Sequence, residues 1–153
     1  MTYQIRNATP GDIPHIVDHR EQMFRDMGIP AEFEAMSKAT TAWLQSAIPS
    51  RTYRGWLAVT ADNTVVAGGG LIVIPWPPGP ITMDPRCGFV FNVFTDPAHR
   101  QQGLARRLMD TMHDWCRAEG IGRVVLNASR FGQPLYEQMG YVAANEPMMR
   151  RRL

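Results

Sequence analysis

A short stretch near the middle of the chain, Arg100–Ala105, has residue types and spacing that suit the binding of an anion. It has the pattern R-x-x-G-x-A and directly precedes a helical pattern. The first turn of a helix has backbone N–H groups without partners and a partial positive charge. Glycine lets a loop approach a ligand closely. The stretch therefore predicts a phosphate-binding loop at the start of a helix.

The elements on either side of this loop can be predicted from the neighbouring sequence. Phe89–Thr95 is rich in β-branched and aromatic residues and predicts a strand, which Asp96-Pro97 ends. After the loop, apolar residues recur with helical spacing and predict an amphipathic helix. The apolar face of this helix contains Leu104, Leu108, Met112 and Trp115. A strand, a glycine loop and a helix in this order present free N–H groups to an anion.

The loop resembles the acetyl-CoA-binding signature of the GCN5-related N-acetyltransferases (the GNAT superfamily), written Q/R-x-x-G-x-G/A. A second segment, Ser129–Tyr141, is similar to the superfamily's N-x-x-A-x-x-L-Y-x-x-x-G-F/Y segment. The residues that match this segment are Leu135, Tyr136, Gly140 and Tyr141. Ser129 and Gly132 stand where the superfamily often has asparagine and alanine. Two such markers in the right order are much rarer by chance than either alone.

The resemblance implies an enzyme that transfers an acetyl group from acetyl-CoA to a primary amine of a small molecule or a peptide N-terminus. The amine would attack the thioester directly in a ternary complex, and Tyr136 would donate a proton to the sulfur. Asn92 is the only polar side chain of the predicted strand before Thr95 and could orient a water or the acceptor. The residues implied to bind acetyl-CoA are Val93, Phe94, Thr95, Arg100, Gln101, Gln102, Gly103, Leu104, Ala105, Arg106 and Ser129.

No motif assigns the general base or the acceptor site. The strand that ends at Thr95 has no acidic residue, although many members of the superfamily have a glutamate there. Glu21 and Glu34, on the first two predicted helices, could reach the acceptor, although we favour the interpretation that they are solvated glutamates on a helix face. Trp76, in the proline-rich stretch 75–80, could contact the acceptor, but we favour the interpretation of that stretch as a long hairpin connection.

Composition excludes several other classes of function. The hydrophobic fraction of 44% and the charged fraction of 20% predict one globular domain over residues 1–153. The net charge of +2 is too small to imply a nucleic-acid partner, and Lys38, the only lysine, is not in a phosphate-loop motif. Without a long apolar run or a signal-peptide core, we expect no membrane partner and a cytoplasmic location. His15 and His19 lack a third ligand, so we expect no metal.

The remaining periodicities extend this pattern over the whole chain. They predict a strand at 3–7, helices at 12–27 and 31–47, a hairpin of 56–60 and 65–74, a strand at 124–127, a helix at 131–139, and terminal strands at 141–143 and 148–152. Gly68–Gly70 would require a close neighbour, for which we expect a helix packed on the sheet. The result is a GNAT-like α/β (α+β) fold with a mixed, mostly antiparallel sheet of six or seven strands and about four helices. The resemblance implies splayed central strands and a homodimer.

Two other interpretations explain part of this pattern. A GNAT-like domain that binds acyl-CoA without turnover, as a sensor or interaction module, is consistent with the missing strand carboxylate and with Ser129. A mononucleotide-binding regulatory protein would share only the glycine loop and would leave the Ser129–Tyr141 segment unexplained. The tyrosine at position 136 favours the enzyme over both alternatives.

Overall fold

The chain folds around one five-stranded sheet. The computed structural model describes residues 1–153. Its strands are β1 (Tyr3–Asn7), β2 (Tyr53–Thr60), β3 (Val65–Pro75), β4 (Arg86–Thr95) and β5 (Val124–Leu126). Its α-helices are α1 (Ile13–Asp26), α2 (Phe33–Ala47), α3 (Leu104–Ala118) and α4 (Gln133–Gln138), and short 3-10 turns form at Pro10–Asp12 and Pro97–His99. The predicted fold class and the four predicted helices are confirmed.

The sheet is antiparallel from β1 to β4, and β5 joins it parallel to β4. β5 is short and pairs only with Gly88–Val90 of β4. β4 continues to Thr95, where it still pairs with β3 but has no strand on its other side. β4 and β5 therefore diverge, as the splaying predicted for this pair implies, and leave a gap beside the end of β4.

The sheet has five strands rather than six or seven, because the two predicted terminal strands do not form. Residues 141–143 and 148–152 belong to no strand. Val142 and Met149 are each 90% exposed, so ordering these segments as strands would cost backbone entropy without burying apolar surface. Pro147 also removes a backbone donor directly before the second segment.

The helices cover both faces of the sheet. On one face lies α3, whose buried side chains are those of Leu104, Leu108, Met109, Met112 and Cys116. Trp115 lies at the edge of this face and is half-buried. On the other face, α1 and α2 form a second core with β2 and β3. Burial of a leucine or methionine side chain contributes about 1.5–3 kcal/mol, so packing fixes α3, and with it the glycine loop, against the sheet.

Three consecutive glycines, Gly68–Gly70, lie in β3, and each meets a different neighbour. A Cβ atom on Gly69 would lie 3.1 Å from Met112 of α3, so the predicted helical neighbour is right for this glycine. Gly68 instead faces Leu57 and His19 on the opposite side of the sheet, and Gly70 faces the ring of Tyr53. One run of glycines therefore meets different requirements on the two faces.

The ring of Tyr53 lies across a cross-strand pair of glycines. Gly55 of β2 is the partner of Gly70 in β3. A Cβ atom on Gly55 would lie 3.3 Å from the ring, and one on Gly70 would overlap it. With both positions open, the side chain of Tyr53 is 2% exposed and extends over β3 towards β4. There its hydroxyl oxygen accepts a hydrogen bond of 3.1 Å from Nδ2 of Asn92.

We expect Gly70→Ala to lower the free energy of unfolding by about 1–3 kcal/mol, because the added methyl group would overlap an enclosed ring. Gly69→Ala is the matched control, since its Cβ would meet the flexible end of Met112 and should cost less. Both variants lose the same conformational freedom in the unfolded chain. Urea denaturation measures the two values, and equal destabilisation by the two substitutions would contradict this account.

Candidate active site

A cavity of about 850 Å³, here called the main cleft, opens beside the end of β4. Its walls are the end of β4, the glycine loop, the first turn of α3, the end of α1, and the segment that leads into α4. The sequence-predicted residues that line it are Val93, Phe94, Thr95, Arg100, Gln101, Gly103, Leu104, Ala105, Arg106, Ser129 and Tyr136. Gln102 is exposed and is not part of this lining.

The glycine loop presents a row of backbone donors. Gln101 and Gly103 have positive φ angles of 61° and 73°, which turn the chain into the first turn of α3. The N–H groups of residues 101–106 donate to no group of the protein, and the first N–H after them, that of Arg107, bonds Gly103. Such a concave row at a helix N-terminus is an anion-binding arrangement. The structure therefore supports the phosphate-binding loop predicted from the sequence.

The free edge of β4 supplies further donors to the main cleft. The N–H group of Asp96 donates to the carbonyl oxygen of Val66 in β3 at 2.9 Å. Because backbone groups alternate between the two edges of a strand, the N–H groups of Thr95 and Val93 face the other side, where β5 has diverged. An extended ligand lying in the gap can therefore bond to β4 as a neighbouring strand would.

The arginines of this region shape the cleft through contacts within the protein. Arg100 donates to the carbonyl oxygen of Thr95 at 3.1 Å and forms an ion pair with Asp26 of α1 at 2.7 Å. Arg106 donates to Oε1 of Gln138 at 3.0 Å and so connects α3 with α4. The side chain of Arg100 thus fixes the loop against α1, whereas Arg106 lies at the wall between α3 and α4.

Tyr136 lies on α4 with its ring largely buried beside Tyr141, at a centroid distance of 5.7 Å. Burial raises the pKa of its phenol, and its hydroxyl makes no hydrogen bond within the protein. A Cβ atom on Gly132 would lie 2.9 Å from this ring, so the glycine allows the ring to pack closely against the segment that leads into α4. Ser129 Oγ accepts the N–H of Gly132 at 3.1 Å, which leaves its hydroxyl hydrogen free to donate.

A second cavity of about 390 Å³, here called the side cavity, lies on the other side of β4, against α1 and α2. Its lining residues are Arg20, Met36, Ala39, Thr40, Trp43, Tyr53, Ile72, Phe91 and Asn92. Asn92 has a φ of 60° at an irregularity of β4, and its side chain is buried between two partners. Its Oδ1 accepts from Nη1 of Arg20 at 2.7 Å, and its Nδ2 donates to Tyr53.

Arg20 and Tyr53 were not predicted from the sequence. A signal for Arg20 exists, because it lies four residues after Ile16 and three before Met23, within the apolar stripe of α1. A cation in such a stripe needs a buried partner or a ligand. Tyr53 has no comparable signal, since its position depends on the distant glycine pair.

The residues predicted to contact the acceptor lie outside both cavities. Glu34 is exposed on α2. Trp76 lies just after the end of β3, where the centroid of its ring is 5.5 Å from Cζ of Arg123. Glu21 bonds Arg25 and Ser37, and these bonds lower the pKa of its carboxyl group. None of these three side chains lines either cavity. No group of three His, Cys, Asp or Glu side chains is arranged to hold a metal ion.

Comparison with known proteins identifies the family. Residues 16–141 match the family model described as the acetyltransferase (GNAT) family, and the chain belongs to this family. A GCN5-related N-acetyltransferase from Ralstonia eutropha JMP134 is similar in structure, with 32% identity, a TM-score of 0.91, and coverage of 98% of this chain and 99% of that one. A predicted acetyltransferase from Clostridium acetobutylicum, solved with acetyl-CoA, shares the fold at 24% identity and a TM-score of 0.89, over 98% and 96% of the chains.

A curated relative is similar over a shorter stretch. The glucosamine 6-phosphate N-acetyltransferase of Trypanosoma brucei brucei is 33% identical over 63 residues, which are 41% of this chain and 42% of that enzyme. The match therefore spans less than half the length of either protein.

We expect Gly103→Val to weaken acetyl-CoA binding at least about tenfold, because a branched side chain disfavours the left-handed backbone that aims the loop's N–H groups. Loss of even one charge-assisted hydrogen bond has this effect. Gly120→Val is the matched control at the opposite end of α3, since Gly120 has a φ of 72° and its Cβ would clash with nothing. It should lower stability similarly but leave the Kd, measured by calorimetry, unchanged. Equal weakening of binding by both variants would refute the loop assignment.

Proposed function

We propose that this protein is an N-acetyltransferase that transfers an acetyl group from acetyl-CoA to a primary amine by direct attack in a ternary complex. The observation that supports this most strongly is that one cleft contains both the free N–H groups of residues 101–106 and the unbonded hydroxyl of Tyr136. The first suits a diphosphate and the second a proton donor. The family to which the chain belongs adds independent support.

The residues of the main cleft fit acetyl-CoA along its length. The N–H groups of residues 101–106 would bind the diphosphate, and that of Thr95 would bind an amide group of the pantetheine arm. The hydroxyl of Ser129 can donate to the same arm from the opposite wall. When bound in this way, acetyl-CoA supplies the thioester carbonyl that the amine attacks.

Two groups of the protein would then assist the reaction. The N–H group of Val93 faces the gap beside β4 and can stabilise the negative charge that develops on the carbonyl oxygen. The phenol of Tyr136 can donate a proton to the departing sulfur. Because burial raises its pKa, Tyr136 stays protonated through neutral and mildly alkaline pH, which a proton donor requires.

The side cavity is the proposed acceptor site, and it contains no general base. None of its nine lining residues is acidic or a histidine. We therefore expect the amine to react as the neutral species and to lose its proton to water after attack. The absence of a general base also favours the alternative function, an acyl-CoA-binding sensor or interaction module without turnover. Release of free CoA from acetyl-CoA in the presence of an amine would exclude this alternative.

The identity of the acceptor, the cellular location and the oligomeric state are further parts of the proposal. The name of the trypanosomal relative points to an amino sugar phosphate, but its short match does not extend to a whole acceptor site. No helix of the chain is long and apolar enough to cross a membrane. A cytoplasmic location and a homodimer remain predictions from the sequence.

We expect Tyr136→Phe to lower kcat about 100-fold or more while changing the Kd for acetyl-CoA little, because only proton donation is removed. Tyr141→Phe is the matched control, since this neighbouring tyrosine bonds His113 at 2.6 Å instead of lining the cleft. It should keep nearly full turnover. The measurement is the rate of free-thiol release at saturating amine, and wild-type turnover by Tyr136→Phe would remove the residue from the mechanism.

We expect kcat/KM for an amine of pKa near 10 to rise about tenfold per pH unit between pH 7 and 9, because the neutral fraction of the amine rises by that factor. Amines of lower pKa should reach their plateau at correspondingly lower pH. A midpoint between pH 6 and 8 that stays the same for all amines would instead reveal a protein base.

A further inference from the structure

The side cavity contains a cation without an anionic partner. Arg20 is half-buried on α1, with its guanidinium 5.0 Å from the ring centroid of Phe24 and hydrogen-bonded to Asn92. None of the five ion pairs in the protein includes Arg20. Burial lowers the pKa of the Arg20 guanidinium, and no carboxylate counteracts this effect. Even so, an arginine remains charged at physiological pH.

The remaining donors of Arg20 are available to a ligand. Its single hydrogen bond in the protein uses Nη1, so Nε and Nη2 have no acceptor. Neither of these nitrogens is enclosed in the protein interior. The planar guanidinium binds carboxylates through two parallel hydrogen bonds, and Asn92 holds it in one orientation. The group is therefore preorganised to receive an anion.

The other walls of the side cavity restrict what this anion can belong to. Apart from Thr40, Tyr53 and Asn92, the lining is apolar: Met36, Ala39, Trp43, Ile72 and Phe91. The cavity volume of about 390 Å³ suits a small molecule. Arg20 is the only cation in the lining, whereas a phosphate monoester has a charge close to −2 at neutral pH. A single carboxylate on an apolar body fits this site better than a phosphate.

The irregularity of β4 places this site beside the proposed chemistry. Asn92 faces the side cavity, and its neighbour Val93 lines the main cleft. A molecule bound to Arg20 would therefore lie next to the backbone N–H proposed to polarise the thioester. We infer that the acceptor is a small amino acid with an apolar side chain, whose carboxylate binds Arg20 while its amine faces the main cleft. This inference rests on the proposed acetyltransferase function.

The test compares amines that differ only in the acidic group. Leucine, methionine and phenylalanine are each paired with their amide and with the amine that lacks the carboxyl group, and phosphoethanolamine represents phosphate. Free-thiol release gives kcat/KM, expressed per neutral amine because the amides have lower amine pKa values. We expect wild-type protein to favour at least one amino acid over both of its partners by tenfold or more.

Variants of the chain then assign the preference to Arg20. Arg20→Gln should lower kcat/KM for the preferred amino acid about 10- to 100-fold and change that for its amide less than threefold. Asn92→Asp should also lower kcat/KM for the preferred amino acid, because the new carboxylate would neutralise Arg20 in place. Arg25→Gln, on the same helix but outside both cavities, should change neither value. Acetyl-CoA binding, measured by calorimetry, should be unchanged in all three and shows that each is folded.

The outcomes separate this inference from the function on which it rests. If amines are acetylated but amino acids have no advantage over their amides, or Arg20→Gln and Arg25→Gln behave alike, the inference is wrong and the acetyltransferase stands. A preference for phosphoethanolamine over the amino acids would also overturn it. If acetyl-CoA binds but no amine in the panel releases thiol, the proposed function fails and the inference fails with it.

Discussion

Beyond Val90, β4 has a hydrogen-bonding neighbour on one side only, and the candidate active site depends on that missing partner. An unpaired edge is usually a liability for a sheet, because any extended chain can add to it. Here the gap opens where the short β5 ends, and α3 and α4 border it. The open edge becomes a binding surface made of backbone donors, and the glycine loop continues that row of donors to the first turn of α3.

The two cavities adjoin at Asn92 and Val93 of β4, of which the first lines the side cavity and the second the main cleft. Residues other than glycine are uncommon at positive φ, and asparagine is among those that tolerate it best. Its left-handed conformation directs Asn92 into the side cavity and leaves Val93 at the main cleft. Both ends of the Asn92 amide are bonded, one to Arg20 and one to Tyr53, so the same two contacts offset the backbone strain and orient the polar side chains of the side cavity.

The two cavities differ in the kind of group that makes them. The main cleft is lined by free backbone N–H groups, which any sequence can supply as long as a few small residues keep the backbone accessible. The side cavity is lined by side chains that are far apart in the chain. This difference explains why a short motif predicted residues that line the main cleft, while Glu34 and Trp76 line neither cavity.

The sequence alone establishes the local elements, because helical periodicity, strand composition, and glycine and proline preferences act over a few residues. The glycine loop, the buried face of α3 and the position of Tyr136 on α4 all follow from the sequence. Two terminal segments with strand-like composition nevertheless gain no burial and stay irregular. The side cavity forms only in the folded chain. Arg20 on α1 and Tyr53 on β2 lie 72 and 39 residues before Asn92 on β4. They meet because β3 is the only strand between β2 and β4, and because the pair Gly55 and Gly70 leaves room for the ring of Tyr53 to lie across β3.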